Sequence, residues 1–174
     1  AAYYGMCMKS DSLLGDLIAA LKEAGIYDDT ALFVFSDHGD FTGDYGLVEK
    51  TQNTFEDCLS RVPFVIKPPR GVPVRPRISD ALVELVDFTE TVFDLLGIDP
   101  PYTRFGRSLL PVLAGQTDAH RDAVFCEGGR LPGERHCMEL ESRRPAAAFE
   151  AHPYWPRLEL QARDDRPYHG KAAM

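Results

Sequence analysis

The residues best suited to chemistry lie in FSDHGDFTGDYGLVEK, positions 35–50, which continues the apolar run ALFVF at 31–35. Asp37 and His38 stand side by side at the end of what reads as a buried strand. In open α/β sheets, ligands bind in the crevice beyond the C-terminal strand ends, which is where this pair falls. A carboxylate is a hard oxygen donor and an imidazole a borderline nitrogen donor, so the two can face one divalent cation. Gly39 beside them lets the backbone turn tightly without a Cβ clash. Divalent cations take roughly four to eight donors, so further ligands must come from elsewhere. Asp40 and Asp44 are nearby candidates, although Asp44 in FTGDYG reads equally well as a turn residue. Lys50, twelve residues after His38, can return to the same crevice and offer an ammonium to an anionic group.

Each of these residues also has a plainer reading. SDHGD is an ordinary surface turn if Asp37 caps and His38 is solvated, and Lys50 is then one more solvated charge. Glu56 and Asp57 suit a helix start near Thr54. His120, His136, His152 and His169 fall in loop-like stretches and read as structural or solvated. Cys7, Cys58, Cys126 and Cys137 form no C-x-x-C pair, so zinc-finger chemistry is unsupported and the thiols read as small buried hydrophobes.

The elements that must position this stretch follow from periodicity. DSLLGDLIAALKEAG at 11–25 carries Leu14, Leu17, Ile18 and Leu21 at helical spacing, with Ser10 or Asp11 as cap and Gly25 as stop. ALFVFS at 31–36 and RVPFVIK at 61–67 read as buried strands, the second stopped by PPRGVPVRP. ISDALVELVD at 78–87 mixes helix and strand signals. FTETVFDLLGI at 88–98 is a helix closed by Gly97, SLLPVLAG at 108–115 a short helix or turn, and DAVFCEG at 122–128 a third strand. The alternation predicts an α/β fold with a largely parallel sheet flanked by helices over residues 1–128. Residues 129–174 lack periodicity and read as an irregular, partly mobile segment.

Composition narrows the function classes. With 44% hydrophobic and 26% charged residues, the chain is ordinary for a globular protein rather than disordered. A net charge of −8 argues against a nucleic-acid partner, so an anionic ligand must be held by local positive charge or a metal. No apolar run approaches the roughly 20 residues needed to span a bilayer, which argues against a membrane partner.

The combination FVFSDHGDFTGDYGLVEK followed by FEDCLSRVPFVIK resembles the C-terminal portion of the catalytic domain of type I sulfatases, in the alkaline phosphatase superfamily. AAYYGMCMKSDSLLGDLIAALKEAGIYDDT is similar to the helix before the metal-bearing strand of that family. ISDALVELVDFTETVFDLLGIDPP and FGRSLLPVL are similar to the segments after it, and KAAM to the start of a strand in the smaller subdomain. The resemblance implies that Asp37 and His38 are metal ligands and that Lys50 contacts the oxygens of the transferred group and stabilises the leaving oxygen. It implies calcium as the metal, with manganese the alternative because the Asp-His form also resembles phosphonate monoester hydrolases. The family nucleophile is a formylglycine made from Cys or Ser in a Cys/Ser-x-Pro-x-Arg motif, and no such motif occurs in the 174 residues. The expected substrate is a small-molecule or carbohydrate sulfate ester. A chain truncated at both ends is expected, inactive alone and only marginally stable or self-associating into a homo-oligomer. A phosphonate monoester or phosphodiester hydrolase and a non-catalytic binding fragment are the alternatives.

Overall fold

The computed structural model describes residues 2–48, 50, 55–129 and 169–173. Two compact units divide the chain, one of residues 1–50, 55–125 and 173–174, the other of 51–54 and 126–172.

The first unit opens with helix α1, Ala2–Glu23. It begins well before the predicted cap: Ser10 and Asp11 lie inside it, and Ser12 returns its hydroxyl to the Met8 carbonyl. Residues 2–9 carry no proline, so nothing in them stops the helix from extending toward the N-terminus. The predicted stop is where the sequence puts it. Gly25 takes the left-handed conformation (φ 70°), its N–H reaches the Lys22 carbonyl, and the Ile26 N–H reaches that of Leu21. This pair of bonds is a Schellman closure.

Strand β1, Leu32–Phe35, follows within nine residues and pairs with β2, Phe64–Lys67. The pairing is antiparallel, with Leu32 opposite Lys67 and Phe35 opposite Phe64. The expected parallel arrangement is therefore not what these two strands adopt. In the excursion over residues 36–63 the chain returns to the same end of β1 it left, and among its described residues no crossover helix intervenes. Both strands are half-buried rather than sealed on two faces.

Within the excursion are an antiparallel bridge from Thr42 to Val48, a single 3₁₀ turn at Asp44–Gly46 and helix α2, Asp57–Ser60. Helix α3, Val86–Leu96, covers β1: the Phe88 ring meets Phe33 edge-on at 5.0 Å and lies 5.0 Å from Phe35. Gly97 (φ 64°) closes α3 with a second Schellman pair, Gly97 to Asp94 and Ile98 to Phe93. Helix α4, Leu110–Leu113, contributes Val112, which with Phe41, Leu59 and Leu109 forms the buried apolar set among the described residues.

Asp87, fully buried at the start of α3, holds the rest together. It accepts from the backbone N–H groups of Glu84 and Arg107, from His120 Nε2 and from the Arg121 guanidinium. Thr91, one turn on and equally buried, accepts from the Leu109 N–H. Burial alone would push the Asp87 carboxyl up, but Arg121 and the two backbone donors outweigh it and hold it below the usual carboxylate range.

Strand β3, Phe125–Gly129, pairs with β4, His169–Ala173, each strand falling in the second unit except for Phe125 and Ala173. The predicted third strand and the strand predicted at KAAM correspond to these. Most of the segment read as irregular, with His136, Cys137 and His152, lies outside the described residues. No described helix is long and apolar enough to cross a membrane.

Candidate active site

β1 delivers Ser36, Asp37 and His38 at its C-terminal end, and four local bonds fix them. The Ser36 hydroxyl donates to the His38 carbonyl at 2.7 Å, and the His38 N–H donates to Asp37 Oδ1 at 3.0 Å. The Gly39 N–H donates to the Leu59 carbonyl at 2.7 Å, tying the loop to α2. His38 Nδ1 lies 2.7 Å from the Gly39 carbonyl, which can only accept. Nδ1 therefore carries the proton, and Nε2 presents a lone pair.

That lone pair is where the three singled-out residues meet. Lys50 Nζ lies 3.0 Å from His38 Nε2, across twelve residues of chain, and Asp37 Oδ2 lies 3.7 Å from the same nitrogen. An ammonium has only donors, so Lys50 donates to Nε2 and the imidazole is neutral. Asp37 spends one oxygen on its neighbour's N–H and keeps the other on the Nε2 side. The bridge from Thr42 to Val48 closes the intervening loop, which is how Lys50 returns to His38.

Gly39 has a stricter reason than the tight turn read from the sequence. A Cβ there would stand 1.9 Å from the Cys58 carbonyl oxygen, so the position admits no side chain. Asp44 is the turn residue of its two readings: its Oδ2 accepts the Thr42 N–H at 3.2 Å. Asp40 Oδ1 is buried with no hydrogen-bond partner. Among the described residues no group of three His, Cys, Asp or Glu side chains is placed to hold a metal ion. Burial and the Asp44 carboxylate push the Cys58 thiol up.

Tyr45 was not singled out by sequence. It sits at the loop tip with φ 54°, the non-glycine residue with positive φ among those described. Its hydroxyl donates to Glu56 Oε2 at 3.0 Å, and this bond with its carboxylate charge raises the phenol above its ordinary value. Glu56 is thus a partner for the loop tip, not a helix-start charge alone. A cavity of about 370 Å³ beside α3, lined by Glu90, Phe93, Asp94 and Arg104, includes none of Asp37, His38 or Lys50.

Comparison with known proteins decides the family. The Sulfatase family model matches residues 1–98, more than half of the chain. The chain belongs to the sulfatase family. Its match includes every residue of the Asp37–His38–Lys50 cluster. Arylsulfatase K of Bos taurus is 35% identical over 111 residues, covering 64% of this chain and 20% of that protein. The multifunctional alkaline phosphatase superfamily protein PehA of Trinickia caryophylli is 37% identical over 114 residues, covering 66% and 22%. The phosphonate monoester hydrolase of Agrobacterium radiobacter superposes with a TM-score of 0.68 at 32% identity, covering 82% of this chain and 27% of that one. The chain thus spans about a fifth of the length of the curated relatives it matches.

Proposed function

We propose that residues 35–50 form the cation- and anion-binding part of the active site of a metal-dependent sulfatase. The observation that carries this is the convergence of Asp37 Oδ2 and Lys50 Nζ on His38 Nε2, at 3.7 and 3.0 Å. Two donors each about 2.4 Å from one divalent cation stand about 3.4 Å apart at a right angle and farther at wider angles. The Asp37–His38 separation suits that geometry without rearrangement. The Nδ1–H to carbonyl bond of His38 is the arrangement that fixes a ligating imidazole's tautomer. The residues present therefore fit a divalent cation, with Asp37 and His38 holding it and the remaining donors supplied from outside this cluster. Calcium is the first expectation and manganese the second.

When bound, the cation supplies charge stabilisation to the oxygens of the group being transferred. This chain's own part is positional. Asp37 and His38 fix the cation against a rigid strand end, and Lys50 offers its ammonium to a sulfate oxygen and to the leaving oxygen as charge develops there. No Cys/Ser-x-Pro-x-Arg motif occurs in the 174 residues, so the formylglycine expected as nucleophile is assigned to sequence outside them. The substrate class is a sulfate ester of a small molecule or carbohydrate.

A second reading has its own support. The phosphonate monoester hydrolase of Agrobacterium radiobacter aligns with 82% of the chain, and the Asp-His pair serves phosphonate or phosphate ester chemistry equally well. Rates on an aryl sulfate and an aryl phosphonate monoester, measured on the full-length protein, separate the two. Asp37→Ala should lower the preferred activity by at least about a hundredfold. An unchanged rate would remove Asp37 from the site.

A further inference from the structure

A neutral imidazole whose Nδ1–H is committed to the Gly39 carbonyl has one lone pair, and Lys50 holds it at 3.0 Å. We infer that Lys50 and the divalent cation compete for His38 Nε2, so that cation binding expels the Lys50 ammonium and thereby makes it available to the anionic substrate. The inference rests on the reading of Asp37 and His38 as ligands and adds an order of events to it: cation first, anion second.

The physical basis is exclusion. Two cations cannot share one lone pair, and an ammonium donating to Nε2 at 3.0 Å occupies the direction in which a ligated cation would stand, about 2.0–2.4 Å from that nitrogen. Asp37 Oδ2, 3.7 Å from the same nitrogen, offers both cations the same carboxylate charge. Lys50 is exposed, so it can swing away without disturbing the core. Its chain position supports the movement, since it lies two residues beyond the Thr42–Val48 bridge that anchors the loop. Displaced from Nε2, the ammonium regains the N–H it spends on His38, which it can then donate to an oxyanion held by the cation.

The consequence is a reversal of sign. A lysine standing clear of the cation site would leave cation affinity untouched when removed. A lysine that competes with the cation weakens it, so its removal strengthens cation binding. Calorimetric titration of the full-length protein with CaCl₂ and with MnCl₂ tests this, comparing wild type, Lys50→Met and Lys50→Gln. Both variants should bind the cation about tenfold tighter or more, the effect of losing a charge-assisted competitor. Inorganic sulfate gives the complementary readout: the wild type should bind it more tightly with cation present, and both variants should lose most of that gain. Equal or weaker cation affinity in both variants, with the wild type binding normally, overturns the competition and leaves the ligand reading intact. Absence of cation binding in the wild type overturns the ligand reading itself, and the competition with it.

Discussion

Three residues carry the proposed chemistry, and what their identities show differs from what their geometry shows. An Asp-His pair at a strand end is visible in FVFSDHGD and already names the chemistry of a cation. The tautomer of His38 is not visible, because it follows from the Gly39 carbonyl 2.7 Å from Nδ1. Lys50 is singled out in the sequence as able to return to the crevice, and the fold adds what periodicity cannot, its 3.0 Å approach to His38. Its ammonium is the group placed to stabilise a developing oxyanion, so Lys50→Met should lower kcat of the full-length protein by about 10²–10³-fold. Steady-state kinetics on an aryl ester checks this, and an effect confined to KM would reduce Lys50 to a binding contact. Gly39 was legible as a position without room for a Cβ, but what fills that room was not: it is the Cys58 carbonyl, a neighbour nineteen residues away. Gly39→Ala should therefore destabilise the fold by about 1–3 kcal/mol, read as a lower denaturant midpoint at unchanged slope.

At the scale of elements, local signals were informative and long-range ones were silent. Gly25 and Gly97 marked both helix ends, because left-handed closure is a property of a few consecutive residues. The start of α1 was misjudged, since a capping preference at Ser10 does not compel a helix to begin there. The antiparallel register of β1 and β2 depends on where a 28-residue excursion returns, and alternating helices and strands say nothing of that. Asp87 left a faint trace: a carboxylate on the same helical row as Thr91 amid apolar neighbours signals a buried polar network. Its partners Arg107, His120 and Arg121 arrive from a segment that no pattern connects to α3. The folded carboxyl lies below its unfolded value of 3.8, so its stabilisation is complete above about pH 4 and is lost as pH falls through the lowered folded value. Asp87→Asn should flatten that acid limb of the stability curve. It should also cost about 3 kcal/mol, because it leaves the Arg121 guanidinium buried against a neutral amide. Denaturant titrations from pH 3 to pH 7 measure both, and a variant with wild-type acid sensitivity would show that other carboxylates dominate. Phe88, adjacent in sequence, stacks on Phe33 and Phe35, so this network also steadies the strand that ends at Asp37.

For the whole molecule, membership of the sulfatase family rests on residues 1–98, a span that includes Asp37, Gly39 and Lys50. The chain spans about a fifth of the length of the curated relatives it matches. Exposed Tyr3, Tyr4, Met6, Met8, Leu13 and Leu17 on α1 show how much apolar surface the described residues leave in solvent. The central claim is that Asp37 and His38 hold a divalent cation. It is tested most directly by thermal unfolding of the full-length protein, wild type and Asp37→Ala, with and without added CaCl₂ or MnCl₂. A cation at a hundred times its dissociation constant stabilises by about 2.7 kcal/mol. For a domain of about 150–250 residues this raises Tm by roughly 5–10 °C. The account predicts that rise in the wild type and its loss in Asp37→Ala; no rise in either protein, or an equal rise in both, would contradict it.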